Sequence, residues 1–302
     1  MSKLVALSLL YLFSFFASFP ASAIEQCVPD GQWLIPKSGN ILTDEEYLSN
    51  LPKDSIVLLG EHHANHSHHV WQLNVIKKLH QSQPNMILGM EMFPRNVQPI
   101  LDQWINGELS KTEFHEQVNW DTIWAFNFED YYPILKFAQD NNIPLVALNV
   151  DKQLLQTVRE VGWHKIPEEQ RQGISNPARP SRAYAKQLAV SFKRHSPPTR
   201  SLDKIGFKHF VQKQLLWDRA MAEALAKTQN ENPGQMVVGM MGSWHIIDKH
   251  GVPYQLEDLD AGKAITMVPW DNNLTCNSIS KRFADAIYGT IYFRGMSLGI
   301  FE

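Results

Sequence analysis

Short apolar runs alternate along this chain with segments of helical spacing, and that alternation limits the folds open to it. Residues 55–59 form an apolar run ending at Gly60, the pattern of a strand buried on both faces. Val70, Leu73, Ile76 and Leu79 then recur at roughly helical spacing. Residues 86–90, 144–148, 236–241 and 265–268 repeat the strand pattern, and residues 286–293 form a last candidate strand. Between them, Ser110 and Glu113 make a capping-box pattern. Residues 131–139, 152–160 and 207–227 have helical spacing, the last as one long helix. The expectation is an α/β domain, a mainly parallel sheet flanked by helices on both faces (three-layer α/β/α), with right-handed connections. From about 162 to 206 the pattern lapses into prolines, basic residues and weak periodicity. That stretch is expected to be an inserted helical or irregular excursion from a single domain.

The first residues stand outside this pattern. Lys3, an apolar stretch over 4–19 and Ala21-Ser22-Ala23 have the form of a secretory signal peptide, residues 1–23. The remaining residues, 24–302, are expected to form one exported, periplasmic domain. Ile24-Glu25-Gln26 before Cys27 is wrong for lipid attachment, which wants a small residue there, so a lipoprotein anchor is not expected. The other cysteine is Cys276, and an even count in an oxidising compartment predicts that the two pair. No CxxCH occurs for covalent haem attachment. A net charge of -3 gives no footprint for nucleic acid.

In such sheets ligands bind outside the carboxyl ends of the strands. Gly60-Glu61-His62-His63 follows the first strand, Glu91 the second and Gly242-Ser243-Trp244-His245 the fourth. Two glutamates and two Gly-x-x-His turns therefore gather at one sheet edge. Glu61, His63, Glu91 and His245 could together bind a divalent metal or serve as acid and base. Without a metal, two buried carboxylates would raise each other's pKa and the histidines would offset that. His62, His66, His68 and His69 are expected to be exposed at a helix start, with His66 or His69 turned toward the site. Gln214 and Asp218 interrupt the apolar stripe of the long helix, so both are expected to face the site. Arg219 beside them is placed to pair with a carboxylate. No Gly-x-Ser-x-Gly elbow, Walker loop, Gly-x-Gly-x-x-Gly or His-Glu-x-x-His motif is present.

Five segments, VLLGEHHANHSHHVWQL, ILGMEMFPRNVQPILDQWINGEL, YYPILKFAQDNNIPLVALN, QLLWDRAMAEALA and GMMGSWHIIDKHGVPYQL, together resemble the ChaN family of haem-binding uptake proteins, of the Tiki superfamily. The resemblance covers about residues 45–260, and the superfamily pattern lands on Gly60/His63, Gly242/His245 and Glu91. It implies a secreted or outer-membrane-associated protein that binds haem for iron acquisition, with outer-membrane haem-uptake machinery as a partner. It also implies haems stacked across a homodimer, with a tyrosine as iron ligand. Tyr184 is the first candidate, beside Tyr131, Tyr132 and His195. The arginines of 179–194, Arg182 among them, are candidates to meet the propionates. Other branches of the superfamily include metalloproteases and erythromycin-esterase-like hydrolases. A metal-dependent hydrolase using Glu61, His63, Glu91 and His245 therefore stands as the alternative.

Overall fold

A computed structural model describes residues 27–194 and 203–291. The expected signal segment, His195 and the end of the last expected strand at Phe293 lie outside the described residues. The chain begins with β1 (Trp33–Ile35), β2 (Asn40–Leu42) and α1 (Asp44–Leu48). It continues through β3 (Ile56–Glu61), α2 (His66–Ser82), β4 (Ile87–Pro94), α3 (Gln98–Ile105), α4 (Lys111–Gln117), α5 (Trp120–Ile123) and α6 (Phe128–Asp140). Then come β5 (Leu145–Asn149), α7 (Lys152–Val161), α8 (Arg182–Arg194) and α9 (Lys204–Glu231). The last elements are β6 (Val237–Gly242), α10 (Val252–Asp258), β7 (Ile265–Asp271) and β8 (Ala286–Thr290). Ser110 and Glu113 cap α4 reciprocally, as their spacing predicts.

All the strands form one sheet in the order β2-β1-β8-β7-β3-β6-β4-β5. The strands from β3 to β8 pair in parallel, whereas β1 runs antiparallel to both β8 and β2. That antiparallel edge was not legible in the alternation, because each of its strands is only three residues long. Successive side chains of a strand point to opposite faces. Val57 and Leu59 of β3 accordingly pack under α2, α3 and α6, while Ile56 and Leu58 pack under α9 and α10. Burial on both faces explains why β3 is an unbroken apolar run. The chain leaves β3 toward β4 and leaves the neighbouring β6 in the opposite direction, toward β7. The carboxyl ends of β3 and β6 thus flank a topological switch point, the usual place for a ligand in such sheets.

The excursion is less separate than its composition suggests. Trp163, Ile166 and Ile174 are buried with Val158 of α7 and Leu216 of α9. Tyr184 and Leu188 of α8 pack on Leu215. Prolines and basic residues hide this packing in the sequence, because the apolar contacts are spaced too irregularly to make a period.

Cys27 and Cys276 form a disulfide with their Cα atoms 5.2 Å apart and 249 residues apart in sequence. The bond ties the start of the described chain beside β8, where Gly31 and Gln32 exchange backbone hydrogen bonds with Gly289. Cross-linking so long a loop removes much chain entropy from the unfolded state. Replacing Cys276 with serine is expected to cost about 2–5 kcal/mol. Urea unfolding of oxidised protein and variant measures it, and equal midpoints would show that the bond contributes nothing.

Candidate functional site: a polar centre and the cavity beside it

Glu61 ends β3 on the face of α2 and α6, and three groups converge on its carboxylate. His63 donates through Nδ1 to Oε1 at 2.6 Å, and the Tyr131 hydroxyl donates to the same oxygen at 2.8 Å. His69, one turn into α2, places Nδ1 3.0 Å from Oε2. Its Nε2 donates to the His63 carbonyl at 3.1 Å. With an acceptor at each nitrogen, the His69 ring is satisfied best as an imidazolium. Burial alone would lower the His69 pKa, but the Glu61 carboxylate outweighs it and holds it raised. Burial likewise would raise Glu61, yet His69 and His63 keep its carboxyl well below the usual range. Burial would push Tyr131 upward, and the Glu61 charge adds to that, so its phenol stays neutral.

Glu91 lies on β4 and points to the other face, toward α9. Its Oε2 accepts the Gly242 N–H at 2.7 Å, and its Oε1 lies 3.4 Å from His245 Nε2. His245 donates through Nδ1 to Asp218 Oδ1 at 2.6 Å. Asp218 Oδ2 accepts the Tyr184 hydroxyl at 2.7 Å. Against the burial that would lower it, Glu91 and Asp218 push the His245 pKa up to about 10. Burial raises the Glu91 pKa, but His245, His63 and the Gly242 N–H together leave it lowered. The two halves meet at Gly242. A Cβ there would sit 2.9 Å from His63 Cε1 and 3.7 Å from Glu91 Oε2. A Cβ on Gly60 would meet Ser243 Oγ at 2.6 Å. Both Gly-x-x-His turns thus use glycine for close approach of side chains, not for an unusual φ.

Several expectations change here. His68 and His69 are buried, at 1% and 2% exposure, rather than exposed at the helix start. His68 accepts the His62 N–H on Nδ1 and donates through Nε2 to Asp271 at 3.2 Å, and His66 pairs with Asp130 at 2.8 Å. Asp218 faces the centre through His245 and Tyr184, whereas Gln214 is half-buried. Arg219 pairs with Asp258 and Glu223. Among the described residues no group of three or more His, Cys, Asp or Glu side chains is disposed to hold a metal ion. Each carboxylate is already turned to an imidazole, a hydroxyl or an N–H, so the divalent metal expected from the sequence finds no support in this geometry.

Tyr184 is 3% exposed, and its hydroxyl is committed to Asp218. Burial and the Asp218 charge raise its pKa well above the usual phenol value, which opposes a phenolate. Tyr132 is half-buried with the Lys111 ammonium 4.1 Å from its ring centre. Arg182 is exposed on α8.

Beside the polar centre a cavity of about 860 Å³ opens between α8, the turns after β6 and the end of β7. Val190, Trp244, Trp270 and Phe283 form apolar walls, and Lys186 and Arg282 supply exposed cations. His62 and His250 also line it. Burial above all lowers the His62 pKa to about 4. Ser243 Oγ and Trp270 Nε1 are buried in this wall with no hydrogen-bond partner among the described residues. No motif or periodicity in the sequence marks Trp270, Arg282 or His250. They lie far apart along the chain, and nothing in local spacing marks them as neighbours.

The family described as haem-binding uptake, Tiki superfamily, ChaN matches residues 47–256. A solved structure of ChaN from Campylobacter jejuni with cofacially bound haem is similar in fold, with a TM-score of 0.67 and 20% identity. That likeness covers 85% of this chain and 95% of the other. An erythromycin esterase, EreC, in its open conformation aligns with a TM-score of 0.46 and 12% identity, over 79% of this chain and 77% of that one. In sequence, 106 residues are 26% identical to the chloroplastic protein RETICULATA-RELATED 5 of Arabidopsis thaliana. The match covers 35% of this chain and only 14% of that longer protein.

Proposed function

Because the chain belongs to the ChaN haem-binding uptake family of the Tiki superfamily, we propose that it is an exported protein that holds haem noncovalently for iron uptake. The cavity beside the polar centre carries this reading. Its 860 Å³ lies within the usual range for small-molecule sites, and its walls are mainly apolar and aromatic. A porphyrin is a flat apolar plate bearing two carboxylates. Trp244, Trp270 and Phe283 suit the plate, and Lys186 and Arg282 suit the carboxylates. Bound there, the iron would supply a further ligation site. Trp244 is 42% exposed and Val190 48% exposed, so apolar surface continues outside the cavity. A haem face left uncovered is costly in water, and a second copy of the chain would cover it. The disulfide supports an oxidising, periplasmic compartment.

Absorbance titration of the purified chain with ferric haem is expected to saturate near one haem per chain. Sedimentation should shift from monomer to dimer as haem is added. Linear, unsaturating absorbance would remove this function; saturation without dimers would remove only the stacked pair.

One observation favours a second reading, hydrolysis at the polar centre. Each Gly-x-x-His imidazole is held through Nδ1 by a carboxylate, Glu61 for His63 and Asp218 for His245. A carboxylate so placed orients an imidazole for acid–base work, and His245, held as a cation, is suited to donate a proton. Under this reading haem-free protein turns over carboxylic esters, and His63→Gln loses that turnover. No turnover by the unaltered chain excludes it.

A further inference from the structure

His250 occupies a turn that is held from several sides. Asp248 and Lys249, just before it, both adopt left-handed backbone, at φ 55° and 60°. Non-glycine residues pay for that conformation, and such positions cluster at ligand clamps. The Asp248 N–H donates to the Phe283 carbonyl at 2.8 Å, and Lys249 pairs with Asp285. Gly251, just after it, is pressed so closely that a Cβ would lie 2.4 Å from the His245 carbonyl oxygen and 3.0 Å from Asp218 Oδ1. The turn is therefore built against the polar centre while its histidine lines the cavity.

The ring itself is fixed without using its nitrogens. It stacks on Tyr184, with centroids 5.2 Å apart and planes 30° apart. Tyr184 is anchored in turn by its hydrogen bond to Asp218. Neither ring nitrogen of His250 makes a hydrogen bond among the described residues, and the side chain is only half-buried. The neighbouring histidines differ. His63, His69 and His245 each commit Nδ1 to a carboxylate, and His68 uses both nitrogens. An imidazole with its plane set and its nitrogens open, in an apolar aromatic cavity, is equipped to ligate iron.

We propose that His250, rather than Tyr184, is the protein's ligand to the iron of haem held in this cavity. The assignment rests on the haem reading above. Tyr184 acts behind it as a positioning residue that sets the imidazole plane.

The test is spectroscopic. The purified chain is loaded with ferric haem, reduced, and examined by resonance Raman for an iron–imidazole stretch, alongside electron paramagnetic resonance of the ferric form. The unaltered chain should show imidazole ligation. His250→Ala should lose that signature, bind haem at least about 100-fold more weakly, and regain the signature when free imidazole is added. The expected loss lies at or above the roughly 10–100-fold caused by removing a ligand's supporting partner. His250→Met keeps a side chain of similar bulk and should convert the spectrum to thioether ligation, which keeps the assignment testable should the alanine variant fail to fold. An unchanged spectrum in His250→Met overturns the assignment. So does a phenolate spectrum in the unaltered chain that Tyr184→Phe abolishes. In both cases saturable haem binding survives and only the ligand is wrong. If the unaltered chain binds no haem, the haem reading falls and the assignment falls with it.

Discussion

Replacing Asp218 with alanine is expected to destabilise the fold by about 3–5 kcal/mol, the usual range for breaking a buried ion pair by removing one partner. Asp218 is 0% exposed, and both of its oxygens are occupied. The variant leaves the His245 imidazolium with Glu91 alone, at the longer distance of 3.4 Å. It also leaves the buried Tyr184 hydroxyl without its acceptor. Tyr184→Phe is the comparison, since it removes only the hydroxyl; it should cost about 1–3 kcal/mol. The double variant should cost less than the sum of the two, because residues in one network couple. Urea denaturation of the four proteins measures all of this. A cost below about 1 kcal/mol for Asp218→Ala would mean that His245 is not held as a cation by that pair.

Stability is expected to fall on both sides of neutral pH, for separate reasons. Glu61 and Glu91 have folded pKa values below their ordinary 4.5. Their contribution is complete above that value and is lost as pH falls through the lowered folded values, because protonation discharges the pairs with His69 and His245. His245 has the opposite sign. Its folded pKa of about 10 stands above the ordinary 6.5. Its contribution is complete below about 6.5 and declines as pH rises toward about 10, where the folded protein too releases the proton. His63 and His69 are raised as well and add to the alkaline decline. Thermal unfolding across about pH 3 to pH 10 should therefore give a plateau with two limbs. His245→Gln should lower the plateau and flatten the alkaline limb while sparing the acid limb at Glu61. An alkaline limb of unchanged steepness in that variant would show that His245 does not titrate between the folded and unfolded states as argued.

Much of the scaffold was legible because its signals are local. An apolar run such as residues 56–59 has no polar face to show, so it announces a strand buried on both sides. Ser110 and Glu113 are near enough in sequence to announce a helix start, and Asp218 stood out as a charge within an apolar stripe. The nearness of Glu61, Glu91 and the two Gly-x-x-His turns to the strands followed from the same periodicities, although β3 runs on through Glu61 and β4 through Glu91 to Pro94. The packing of the excursion was lost because Trp163, Ile166 and Ile174 share no period, and Tyr184 and Leu188 make only one helical step. The burial of His68 and His69 was lost because their partners, Asp271 and Glu61, belong to other elements.

By itself, then, the sequence determined the alternation of strand and helix, the glycine turns and the stock of imidazoles and carboxylates at one sheet edge. Only the tertiary structure decided which of those groups share a proton. Glu61 ends β3 and Glu91 lies within β4, yet they face opposite sides of the sheet, toward His69 and His245 respectively. Side-chain direction in a strand depends on parity, and the partner met depends on the helix laid over that face. Tyr184 and His250 are separated by 66 residues of chain, counted from their numbers, but stack 5.2 Å apart. Hydrogen bonds and ring contacts act over a few ångströms, so pairings at such separations exist only once the chain has been brought back on itself.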